Sequence, residues 1–117
     1  MKSAKEILLD AANVIERGWY QGDFAGYHDD NDKTLCHCAL GTISVAEGRG
    51  GYGDPITIEG RKAERRLEAY IERSAWPMVQ FLTIPEWNDQ PSQTASNVAN
   101  TMRIVSELID AGGHDDE

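Results

Sequence analysis

Cysteine is scarce in this 117-residue chain: Cys36 and Cys38 are the only two. They are too few and too close together for the disulfide framework of a small secreted domain, so reduced thiols and a cytoplasmic setting are expected. Long hydrophobic runs are also missing. No window approaches the roughly 18 consecutive apolar residues that a membrane helix needs. The start Met1-Lys2-Ser3-Ala4-Lys5-Glu6 leads into an amphipathic pattern in place of a signal-peptide core, so no membrane partner is expected. Positive charge is in deficit: 11 basic residues face 20 acidic ones, for a net charge of -9. The resulting field repels nucleic-acid phosphate and excludes unassisted DNA or RNA binding. Internal repeats, sustained heptads and low-complexity tracts are absent, and only short pieces such as Pro55-Ile56-Thr57-Ile58 have strand character.

What is present is the composition of one folded domain, with 40% hydrophobic and 26% charged residues. The expectation is a single all-α, four-helix domain over residues 1–113, followed by a frayed acidic tail at 114–117. Ser3 and Glu6 form a capping box, and Ile7, Leu8, Ala11, Val14 and Ile15 recur at helical spacing, which predicts a first helix from Ala4 to about Arg17. Gly18 is placed to end it in the left-handed conformation. Residues Leu35 to Glu47 are apolar or small on nearly every side of a helical wheel, so a buried central helix is predicted there. Ala63, Leu67, Tyr70 and Ile71 predict a third helix from about Glu59 to Ser74, ended by Trp76-Pro77. Ala95, Val98, Met102, Val105, Leu108 and Ile109 mark the last, which should stop at Gly112-Gly113. Arg61, Lys62, Arg65 and Arg66 interleave with Glu64, Glu68 and Glu72, the pattern of a solvated helix face with ion pairs.

The segments between helices read as loops and turns. Trp19 to Tyr27 mixes glycines with four aromatic residues and should be an ordered loop whose rings pack on the core. His28 to Lys33 is a polar turn; as a calcium loop it fails, because the position for the closing glutamate, counted from Asp30, is Gly41. Gly48 to Pro55 is glycine-rich but lacks the Lys-Ser/Thr of a phosphate cradle. Pro85 to Pro91 is the last loop, after an apolar turn from Pro77 to Ile84.

Three motifs stand out: Gly18-Trp19-x-Gln21-Gly22, Cys38-Ala39-Leu40-Gly41, and Trp87-Asn88-Asp89 followed by Pro91 and Thr94-Ala95. In this order, with helices between them, the chain resembles a domain-of-unknown-function family of actinobacteria and their bacteriophages. The resemblance spans nearly the whole chain and implies an intracellular setting. It carries no activity over to any residue.

Two chemical readings compete with packing. Cys38 falls near the start of the predicted central helix, where the dipole and free amides favour a thiolate. With His37 or His28 as base and Asp89 or Asn88 as orienter it would form a thiol-dependent hydrolase or transferase. Against this, free cysteine packs as a small hydrophobe, and adjacent helical residues point about 100° apart. A metal site from Cys36, Cys38, His28 and His37 is weak, since C-x-C on a helix splits the two sulfurs; no metal and no cofactor are expected. Trp19, Gln21, Cys38, Trp87, Asn88 and Asp89 are expected to cluster from three segments, either as a structural staple or as a small-ligand pocket between the Trp19 and Trp87 loops. The leading functional expectation is a small acidic interaction module that binds a cellular protein with a basic surface and carries out no turnover.

Overall fold

The computed structural model describes residues 2–23, 25–26, 35–48, 54–75 and 82–111. The polar turn at 28–33, the glycine run at 49–53, the Trp76–Phe81 stretch, the Gly112-Gly113 stop and the acidic tail lie outside the described residues. Among these, the fold is mostly helical: α1 (Ala4–Arg17), α2 (Ala39–Ala46), α3 (Ile58–Ala75), α4 (Ile84–Asn88) and α5 (Ala95–Ala111). A minimal antiparallel pair, β1 (Ala25–Gly26) and β2 (Cys36–His37), joins them, with Ala25 opposite His37 and Gly26 opposite Cys36.

α1 begins as its sequence dictates. Ser3 is the N-cap; its hydroxyl accepts from the Glu6 amide, and Glu6 accepts from the Ser3 amide in return. Ile7, Leu8, Ala11, Ala12 and Ile15 form the buried stripe, which packs most extensively on α5 and then on α2 and α3. Leu67 and Ile71 of α3 and Val98, Met102 and Val105 of α5 meet it in one core with Leu40 and Ile43 of α2. Each fully buried residue of this size contributes about 1.5–3 kcal/mol.

The four-helix expectation is corrected to five among the described residues. α4 occupies the start of what reads as a loop. Thr83 caps it and Glu86 completes a second capping box, while Pro85 sits in the first turn where its missing N–H costs nothing.

The helix predicted from Leu35 starts four residues later, at Ala39, because Cys36 and His37 are strand. An all-apolar run has no periodicity to distinguish the two. Backbone partners decide: the His37 amide donates to the Gly18 carbonyl, and the Tyr20 amide donates to the His37 carbonyl, both at 3.0 Å. Gly18 therefore does not take the left-handed conformation predicted for it. Its φ is 177°, extended, and glycine is needed for a different reason: a Cβ there would lie 2.7 Å from Cys36 Sγ. Gly26 serves β2 from the other side, since its missing side chain leaves room for the Tyr20 ring. From Ala39 onward α2 is buried on nearly every side, Ala39 through Ser44 and Ala46 all being inaccessible.

The strand character of Pro55–Ile58 is not realised, because this stretch is spent starting α3. Thr57 precedes the helix, and its hydroxyl accepts from the Gly60 amide at 2.9 Å. The reciprocal carboxylate comes from elsewhere. Glu47, just past α2, accepts from the Thr57 amide and hydroxyl and from the Ile56 amide, at 3.0, 2.6 and 3.0 Å. Gly60 holds the position that a capping-box glutamate would occupy, and any Cβ there would overlap the Glu47 carboxylate. The same end of the bundle is tied by Glu59, which accepts from the Ala4 amide at the start of α1, and by Lys2, which donates to the Ala46 carbonyl at the end of α2.

Candidate functional site

The three motifs meet at the opposite end of α1, where Asn88 sits with 0% exposure. It ends α4, so its side chain is aimed by a rigid turn and not by a free loop. Its Oδ1 accepts from Trp19 Nε1 at 2.7 Å and from the Ala39 amide at 2.9 Å. Its Nδ2 donates to the Tyr20 carbonyl and to Asp89 Oδ1, both at 3.0 Å. A primary amide has two acceptor lone pairs and two N–H donors, so the full capacity of Asn88 is used. Three segments distant in sequence are joined by this one side chain: the loop after α1, the first turn of α2 and the end of α4.

Gln21 and Asp89 extend the junction. Gln21 Nε2 donates to the Asn88 and Gln90 carbonyls, both at 3.0 Å, which satisfies acceptors left over at the end of a helix. Asp89 Oδ1 accepts from the Gly22 amide at 2.9 Å, and Gly22 takes a positive φ of 97° that favours glycine. Trp19 is part-buried against the core. Trp87 belongs to the core itself, and its ring lines a groove of about 390 Å³ with Tyr70, Ile71, Leu82 and Ile104. The two tryptophans therefore do not share a described cavity.

Cys38 is the N-cap of α2: its Sγ accepts from the Gly41 amide at 3.3 Å. The helix-start environment expected to favour a thiolate is present, and those amides do act to lower the pKa. Burial outweighs them, and the thiol is pushed up, with the nearby Asp89 carboxylate adding to the rise. A nucleophile needs the opposite shift. His37, on β2, is 8% exposed, its Nδ1 has no hydrogen-bond partner among the described residues, and burial lowers its pKa. No hydrogen bond joins it to Cys38 or to Asp89 among the described residues. The C-x-C pair is not helical, which removes the geometric objection to shared ligation. Even so, no group of three His, Cys, Asp or Glu that could hold a metal occurs among the described residues. His28 lies outside them.

The buried imidazole predicts a pH effect. A folded-state pKa below the unfolded value of 6.5 means that the unfolded chain takes up the proton first, so stability is full above that value and falls as pH drops below it. The lowered carboxylates Glu6, Glu16 and Glu86 start from 4.5 and act only at lower pH. Thermal melts of wild type and His37→Gln between pH 7 and pH 5 isolate the effect. The wild type should lose stability relative to the variant as pH falls; parallel curves would show that His37 does not titrate on unfolding.

Beside the junction lies a second cavity of about 220 Å³, lined among the described residues by Gly22, Asp23, Cys38, Pro85 and Asp89. Asp23 and Asp89 are exposed at its edge, whereas Cys38 is buried.

These features define a small, mostly helical domain whose loops are tied at one end by a saturated asparagine and at the other by a carboxylate shared between α2 and α3. Over residues 1–108 the chain matches the Family of unknown function (DUF6197), and it belongs to that family. No curated protein and no solved structure matches it. No helix among the described residues is long and apolar enough to cross a membrane.

Proposed function

We propose that this chain is a small cytoplasmic interaction module, encoded by actinobacteria or their phages, that acts by binding a cellular protein with a basic surface. One observation carries the reading: the junction end of the bundle presents an outward acidic face. Asp23, Glu86 and Asp89 are exposed there, in a protein of net charge -9. Glu86 is held below the usual carboxylate range by its bonds to Thr83, so it is ionised at neutral pH. The motif residues behind this face support a scaffold role. Asn88 and the Gln21 amide are spent on internal bonds, and the Cys38 thiol is engaged as a helix cap. An interaction of this kind draws its association rate and selectivity from charge complementarity and weakens with salt.

The test is capture of host proteins on the immobilised chain. A partner rich in lysine and arginine should be retained at low ionic strength and released as salt rises. Retention should survive Cys38→Ser, which keeps a cap at α2, and should fall when Asp23, Glu86 and Asp89 become Asn, Gln and Asn. Retention that ignores the charge changes would defeat the reading, and loss on Cys38→Ser would move it to the thiol.

A further inference from the structure

We propose that the cavity between the loop after α1 and α4 receives an arginine side chain of the basic partner, its stem against Pro85 and Cys38 and its guanidinium at the carboxylate of Asp89. This rests on the interaction reading above and deepens it to one residue type.

Size is the first argument. The cavity holds about 220 Å³. That is several times the roughly 30 Å³ that a water molecule occupies, and it falls below the range of about 300–1,000 Å³ for pockets that take drug-sized ligands. It suits a single long side chain. The shape of its wall is the second. Pro85 and Cys38 supply an apolar surface, and Gly22 supplies none, with nothing within 4 Å of where its Cβ would be. An aliphatic stem can run between them while the charge stays near solvent, as arginine side chains do at interfaces.

Charge is the third argument. The carboxylate of Asp89 stands at the edge, and no lysine or arginine lines the cavity among the described residues. The carboxylate of Asp89 is held in place before any ligand arrives, because its Oδ1 accepts from the Gly22 amide and from Asn88 Nδ2. Its Oδ2 has no partner among the described residues, so it remains available at little ordering cost. Its negative field reaches the cavity wall, since it helps to raise the Cys38 thiol. A planar, weakly hydrated guanidinium presents several N–H donors in one fixed fork, which suits a carboxylate already held in place better than a strongly hydrated lysine ammonium does.

The probe is butylguanidinium, with neutral butylurea as its control, titrated into the full chain while backbone amide shifts are followed by NMR at low salt. Saturable shifts centred on Gly22 and Gly41 are expected for the cation and not for the urea. Asp89→Asn keeps the Oδ1 acceptor and removes the charge, and should weaken binding about five- to tenfold. Asp23→Asn, at an exposed position outside the Asn88 junction, gives a second measurement if the first variant is destabilised. Equal shifts with both probes, or cation shifts spread over Glu64, Glu68 and Glu72 of α3, would overturn the proposal. The two readings fail separately. If the basic partner is captured but butylguanidinium does not bind, the pocket inference falls and the interaction stands. If butylguanidinium binds and no basic protein is retained, the cavity takes a cation but the interaction reading falls.

Discussion

Replacing Asn88 with alanine is expected to lower the unfolding free energy by about 3–5 kcal/mol, the largest loss from any single polar residue described. The reason is the number of groups left behind. Trp19 Nε1, the Ala39 amide and the Tyr20 carbonyl all lose a partner at a position with 0% exposure. Each buried donor or acceptor without a partner costs about 1–3 kcal/mol, reduced where water can enter. A domain of this size has only about 5–15 kcal/mol to lose. Asn88→Asp gives a graded comparison. It keeps both acceptor bonds but surrenders the two donors and sets a second carboxylate beside Asp89, so it should also destabilise. Urea denaturation of the three proteins measures the effect. A loss below about 1 kcal/mol for the alanine variant would mean that the junction is not what holds the loops.

The second expected result concerns Glu47 and Gly60, and its mark is a failure of additivity. Glu47→Ala removes an acceptor shared by two amides and a hydroxyl, and should cost about 2–3 kcal/mol, because hydrogen bonds to a charged group are worth more than neutral ones. Gly60→Ala should cost a similar amount, since the new methyl overlaps the carboxylate and forces it out of the cap. With Glu47 already removed, the same Gly60→Ala change should cost clearly less. The carboxylate is then gone, which leaves the Thr57 hydroxyl, 2.8 Å from the added Cβ, to give way, while alanine is better than glycine in a helix by about 1 kcal/mol. A double-mutant cycle reads this directly. Simple additivity would show that Gly60 is not there to admit Glu47.

Much of the helical framework was legible, and the reasons are local. Ser3 with Glu6 predicts the start of α1, and the stripe from Ile7 to Ile15 predicts its buried face, because capping and 3.6-residue periodicity act within one or two turns. The same logic was available for α4. Thr83 and Glu86 are a capping box in plain view, but Pro85 inside it and Pro91 after it make the segment read as a loop. Cys36 and His37 were not legible as strand. Their pairing depends on Gly18, Tyr20 and Gly26, which lie 10 or more residues away, and no pattern inside an apolar run announces that.

For the candidate site, the sequence identified the participants but not their roles. Trp19, Gln21, Asn88 and Asp89 stand out as polar and aromatic residues in short motifs, and that much is visible from residue type alone. A fully bonded asparagine and a ligand-seeking one have the same letter. So do a cysteine that caps a helix and one that attacks a substrate. What separates them is how many partners lie within about 3 Å and how much water is excluded. Length, composition and periodicity determined by themselves that the chain is mostly helical with a strong negative charge, because these properties sum over residues or repeat along a helix. Only the tertiary structure decided that Asn88 closes one end of the bundle, that Glu47 completes the cap of a helix it does not belong to, and that burial pushes the Cys38 thiol up. Each of those depends on groups brought together from distant parts of the chain, where the cost of an unmet hydrogen bond or a buried charge is set by neighbours that the order of residues does not reveal.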